Sequence, residues 1–136
     1  MKPAHIINPI AILCALLFIV ACNHDSSPAQ RIVERFLDAH YVTIDLAKSK
    51  ELTVGLATSK IEQQIRLTQG QSIDASTRMP KINYKLLSKK ENDKRASFVY
   101  QGTIQTDDGD SFTRNWLISA RAEGDQWRVS NFTESE

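Results

Sequence analysis

The 136-residue chain has few of the residues that carry readily recognised chemistry. Two cysteines are too few for a disulfide scaffold or a four-cysteine metal site. Five glycines, at positions 55, 70, 102, 109 and 124, are too scattered for a phosphate-binding loop. No Gly-x-Ser-x-Gly elbow occurs. His24 and His40 each lack a second ligand at helical or hairpin spacing, so neither a metal nor another cofactor is expected. Charge of one sign is missing as well. Lys and Arg number 17 against 16 Asp and Glu, a net charge of +1, so no bulk field draws the chain to nucleic acid or to an anionic membrane. What is present is ordinary: 41% hydrophobic, 24% charged and 7% aromatic residues, the balance of one globular domain, which excludes disorder, collagen and coiled coil.

The N-terminus is the most specific part of the sequence. Lys2 supplies a positive charge, and residues Ile10 to Ala21 form twelve apolar positions without a break. Asn8 and Pro9 interrupt the pattern upstream, so the run is shorter than the roughly 20 residues of a membrane-spanning helix. A basic start, a short apolar core and a small residue at its end describe a secretory signal peptide over residues 1–21. The core ends in Ile19-Val20-Ala21-Cys22, which resembles the lipobox of bacterial lipoproteins at all four positions. That resemblance implies cleavage before Cys22 and acylation of the cysteine, which becomes the new N-terminus. The alternative is an ordinary signal peptide with a chance cysteine. One acyl chain anchors only marginally, at about 0.8 kcal/mol per buried methylene, whereas two or three hold a domain on the membrane. By the same resemblance, to the lipoproteins of Gram-negative bacteria, Asn23 after the cysteine, in place of aspartate, implies export to the outer membrane, facing the periplasm. Cys14 leaves with the signal segment and Cys22 is consumed by lipid, so no cysteine nucleophile remains.

Residues 22–27 read as a lipidated tether and 28–136 as a single α+β domain. Ser27-Pro28-Ala29-Gln30 is a helix start with a capping-box pattern. Ile32, Val33, Phe36, Leu37, Tyr41 and Ile44 follow at helical spacing, with His40 on the same stripe. A short helix is expected around Glu51 to Ala57, another from the Ser59-Lys60-Ile61-Glu62 capping box to Gly70, and a loop over Gln71 to Pro80. After Pro80 the period changes from 3.6 to two. Ile82, Tyr84 and Leu86 alternate with polar residues, as do Ala96 to Ile104, Phe112 to Ala120, and Trp127 with Val129. The intervening turns are polar, at Ser88 to Arg95, Asp107 to Asp110 and Glu123 to Asp125. Lys89, Lys90, Lys94 and Arg95 in the first of them are interleaved with Glu91 and Asp93, the pattern of a solvated hairpin and not of a nucleic-acid patch. The sheet has one apolar face, and the helical half is what can cover it.

Helices first and a curved antiparallel meander after them resemble the cone-shaped nuclear-transport-factor-two-like superfamily. The features that carry the resemblance are the opening helix through Val33-Glu34-Arg35-Phe36-Leu37, the short helices up to Gln69, and the closing strand Trp127 to Phe132. A cystatin-like fold, one helix wrapped by a sheet, is the nearest competitor, and the extra helices argue against it. The resemblance implies a fold and little about activity, because such cones host enzymes, adaptors and binding modules.

One constellation stands out. Arg114 shares the strand parity of Trp116, so it is expected to face the helices, where Glu34, Asp38 or Asp45 would pair with it. Together with His40, Tyr84, Tyr100 and Trp116 it would line a pocket for a small anionic or aromatic molecule. The opposing reading has Arg114 turned out by a bulge, or snorkelling at the sheet edge over a packed core. Three function classes follow. The first is a non-catalytic binding or interaction module on the membrane, with a homodimer or an envelope protein as partner. The second is an isomerase or dehydratase with His40 or Asp45 as base. The third is an inhibitor or immunity protein presenting Gln71–Pro80 or the Asp107–Asp110 turn. With no catalytic group evident, the first is the expectation.

Overall fold

A computed structural model describes residues 25–71 and 79–136. The expected signal segment, Cys22, His24 and residues 72–78 of the expected loop lie outside the described residues. The chain runs α1 (Pro28–Leu37), a π-helical turn (Asp38–Val42), α2 (Leu46–Glu51) and α3 (Leu56–Leu67). Four strands follow: β1 (Lys81–Glu91), β2 (Arg95–Gln105), β3 (Ser111–Glu123) and β4 (Gln126–Ser135), antiparallel in the order β1-β2-β3-β4. The helices lie on one face of this meander, which is the expected α+β architecture.

Helix α1 begins as its sequence requires. Ser27 is extended and its Oγ accepts the Gln30 N–H at 3.0 Å, with Pro28 in the first turn. The return bond of a capping box is not made: the Gln30 Oε1 that would accept the Ser27 N–H accepts from Lys89 Nζ at 3.2 Å, while its amide donates to Glu34 at 2.8 Å. Ala29, Ile32, Val33, Phe36 and Leu37 are buried, a stripe three and four apart. At Asp38 the helix widens by one residue, the Thr43 N–H reaching the Asp38 carbonyl at 2.8 Å. The extra residue rotates Ala39 and His40 into the core and leaves Tyr41 half-buried. Ile44 does not continue the stripe. It sits at φ 51°, a left-handed conformation that costs a β-branched residue about 1–2 kcal/mol.

The helix expected over Glu51 to Ala57 is instead the break between two helices. Asp45 caps α2 through the Lys48 N–H, and the chain then crosses to β4, where Val54 N–H and Leu52 carbonyl bond to Val129. Helix α3 starts at Gly55, not at Ser59, because Gly55 takes φ 59° and ψ −128°, which side chains resist. Ser59 lies inside the helix.

The strands follow their alternation. Ala96, Phe98, Tyr100, Trp116, Ile118, Ala120, Val129 and Phe132 are buried beneath the helices. Fully burying each of the larger ones contributes about 1.5–3 kcal/mol. The turn expected over Ser88 to Arg95 is shorter, since Lys89 and Lys90 continue β1 and Asn92 closes a tight hairpin through its side chain. A bulge at Leu87 leaves that side chain exposed, and another lies in β4 opposite Ser119 and Ala120.

Candidate functional site

Three aromatic residues from neighbouring strands meet on the helix-facing side of the sheet. Tyr84 is in register with Gly102, and Tyr100 with Trp116. Gly102 leaves room that the Trp116 ring fills: a Cβ at 102 would stand 2.3 Å from Trp116 Cη2. Tyr41 stacks on the other side of that ring, centroids 4.1 Å apart and planes 12° from parallel. The space between helix and sheet is thereby occupied at its centre.

Both tyrosines reach carboxylates on the opening helix and its π-helical turn. Tyr84 Oη donates to Asp38 Oδ1 at 2.7 Å, and Tyr100 Oη to Glu34 Oε1 at 3.0 Å. Burial raises both phenol pKa values above their ordinary range, with help from these acceptors. They stay protonated and act as donors. Glu34 and Asp38 therefore hold tyrosines, where the sequence offered them to Arg114. A phenol spans the gap between the layers, and its hydroxyl needs an acceptor once buried.

His40 lies on the far side of Tyr41, with ring centroids 4.5 Å apart. It stacks on Phe36 at 5.1 Å and meets Phe132 at 4.9 Å. Burial lowers its pKa to about 4, so the imidazole is neutral at physiological pH. Its Nδ1 is buried without a hydrogen-bond partner among the described residues. A cleft of about 340 Å³ adjoins it, lined by Tyr41, Lys60, Gln64, Phe132 and Glu134 among others. Lys60 is committed there, donating to Asn131 Oδ1 at 2.8 Å and to the Phe132 carbonyl at 2.7 Å.

Arg114 corrects the pocket expectation and lies closer to the opposing reading, a side chain at the sheet edge beside a packed core. Its parity does place it on the face of Trp116, but beyond the cover of the helices, at the rim. There it pairs with Glu134 at 3.6 Å and Glu136 at 3.3 Å and lies over the Phe112 ring at 5.3 Å. Its carboxylate partners come from β4 and the residue after it, not from α1. The five residues expected to line one pocket are divided among a packed core (Tyr84, Tyr100, Trp116), a cleft behind Tyr41 (His40) and the rim (Arg114). The cleft at His40 is lined by none of the other four. Because the Arg114 pairs are exposed, Arg114→Met should change unfolding stability by less than about 1 kcal/mol in urea titration. A loss of several kcal/mol would instead place the guanidinium in a buried network.

Sequence reasoning also missed the Tyr41–Trp116 stack. The usable signal was Gly102, a glycine among inward-facing strand positions, which marks a close approach. Among the described residues no three His, Cys, Asp or Glu side chains converge as metal ligands would. No helix among them is long and apolar enough to cross a membrane.

No family model and no curated protein matches the chain. Solved structures do. One is a SEC-C motif containing protein from Rhodopseudomonas palustris, 11% identical, with a TM-score of 0.56, covering 81% of this chain and 82% of that one. Another is a multiply substituted form of the nuclear-transport-factor-two-like design Rd1NTF2_05, 14% identical, also at 0.56, covering 79% and 96%. At these identities the likeness concerns the fold. The chain has a nuclear-transport-factor-two-like α+β fold, helices packed on a four-stranded antiparallel sheet.

Proposed function

We propose that this chain is a lipid-anchored module of a Gram-negative cell envelope, held through Cys22 on the periplasmic face of the outer membrane, which works by binding and not by catalysis. The anchor is supported by Ile19-Val20-Ala21-Cys22 at the end of a short apolar run. The non-catalytic reading is carried by one observation: Tyr41 and Trp116 stack in the space between helices and sheet, where a pocket would otherwise open. The groups a proton-transfer enzyme would use are engaged otherwise. His40 is neutral and stacked, and both tyrosine hydroxyls donate to carboxylates. The partner of such a module is a second copy of the chain or another envelope protein.

The test is to express the full chain in a Gram-negative host, fractionate membranes and take the mass of the N-terminal peptide. The expected peptide begins at Cys22 with acyl groups, and Cys22→Ala releases the protein from the membrane fraction. An unacylated protein in the soluble periplasmic fraction overturns the anchor. Native mass spectrometry of the processed protein then addresses binding. A second reading, a small-molecule site, is favoured by the unpartnered His40 Nδ1 beside its cleft. A retained small molecule that is lost in His40→Phe would select it over the first.

A further inference from the structure

The chain is almost neutral, but the sheet's outer face is not. Strand register puts Lys81, Lys85, Lys90, Arg95, Arg121 and Arg128 on the face turned away from the helices. Among the described residues Glu123 is the one carboxylate residue that shares it, paired with Arg121. The remaining outward positions of the central strands are polar or aliphatic: Ser97, Val99, Gln101, Thr103 and Gln105 on β2, and Ser111, Thr113, Asn115, Leu117 and Ser119 on β3. Three of the cations form one row by register, since Arg95 stands opposite Arg121 and Arg121 opposite Arg128, although Arg128 at the β4 edge is half-buried and also borders a cleft with Arg31, Arg35 and Glu51. Like charges directly opposite on neighbouring strands are destabilising. Glu123 on Arg121, and the bonds from Arg128 to Gln126 and to the Trp127 carbonyl, offset part of this repulsion, and an anion across the row would offset the rest. A shallow cleft of about 580 Å³ crosses the face beside the row, with Lys90, Arg95, Ser97, Ser119, Arg121 and Asn131 in its lining and, at its border, Glu91, whose carboxylate accepts from Ser27. Guanidinium, hydroxyl and amide groups together are the donors that suit phosphate.

Where the chain enters the domain selects the source of that phosphate. Ser27 hydrogen-bonds Glu91 beside the β1–β2 turn, so the domain begins at the same end of the sheet as the arginine row. From Cys22 to Ser27 a fully extended chain spans at most about 18 Å. A domain tethered so closely keeps that end beside the bilayer, where the field of an anionic leaflet acts on exposed cations within about a Debye length. We infer that the outer face of the sheet docks on anionic phospholipid headgroups, led by Arg95, Arg121 and Arg128, and that this fixes the orientation of the anchored domain. The inference rests on the Cys22 anchor proposed above. Face-down docking turns the helices and the His40 cleft away from the membrane.

The test uses the processed full-length protein in nanodiscs of phosphatidylethanolamine with or without phosphatidylglycerol. A fluorophore is placed at Ser97→Cys on the sheet face or at Ser59→Cys on α3, and a headgroup nitroxide lipid quenches it. Severalfold stronger quenching at 97 than at 59 is expected, only with phosphatidylglycerol and at low salt. It should disappear in the triple variant Arg95→Gln, Arg121→Gln, Arg128→Gln. Equal quenching at both positions, or quenching indifferent to phosphatidylglycerol and salt, overturns the docking while the acyl mass at Cys22 leaves the anchor standing. If no acyl group is found, the anchor falls, and vesicle partitioning of the same protein decides the docking alone. Binding about a hundredfold weaker in the triple variant, from roughly fivefold per cation, sustains it. No preference for phosphatidylglycerol overturns it.

Discussion

Alanine at position 102 is expected to destabilise the protein by about 3 kcal/mol. The added Cβ would lie 2.3, 2.5 and 2.8 Å from three atoms of the Trp116 ring, well inside contact distance. The ring has little room to retreat. Tyr41 is stacked on it at 4.1 Å, Tyr84 approaches its edge at 6.4 Å, and Trp116 is 1% exposed. Strain of this origin is relieved by a smaller ring, so Gly102→Ala combined with Trp116→Phe should be more stable than the sum of the two single changes, by at least about 1 kcal/mol. Urea denaturation of the four proteins measures this. Strict additivity, or a harmless Gly102→Ala, would mean that the ring does not lie over the glycine.

Stability should also fall steeply between pH 6.5 and pH 4, through His40. Its pKa is about 4 in the folded protein against 6.5 for the free side chain, so the unfolded chain binds the proton first as pH falls. The contribution is fully present above pH 6.5 and is lost as pH drops to 4. A depression of this size corresponds to about 3 kcal/mol, near 1.4 kcal/mol for each pH unit between the two values. His40→Phe keeps an aromatic ring against Phe36 and Phe132 and removes both the titration and the unpartnered Nδ1. The variant should match or exceed the native protein at pH 7 and pull ahead of it by about 3 kcal/mol at pH 4. Parallel pH profiles for the two proteins would show that His40 protonates freely in the fold.

Much of the architecture was legible because alternation and helical spacing are strong signals when one face is buried. The inward set Phe98, Tyr100, Trp116 and Ile118 follows from parity alone, as does the meander from its short polar turns. Element boundaries were less legible where a local rule gave way to a tertiary one. Leu52 and Val54 look like helix residues and instead bond to the edge of β4, and Lys89 and Lys90 look like turn residues but extend β1. The π-helical turn left no trace in the sequence, since spacings of three and four continue through it. For the candidate site the gap was of another kind. Parity says which face a side chain is on, but not how far the helices reach along it. Arg114 is on the expected face and yet past the end of the cover, where Glu134 and Glu136 meet it.

The crossing segment between α2 and α3 has a consequence for life at high local concentration. By bonding on both sides of Val129, residues Leu52 to Val54 use up donors and acceptors midway along the free margin of β4. At the opposite margin the bulge at Leu87 bends β1 among Lys85, Lys89 and Lys90. Neither border is a straight, neutral template for another chain's backbone, so copies crowded together on a membrane are kept from zipping into continuous ribbons and fibrils.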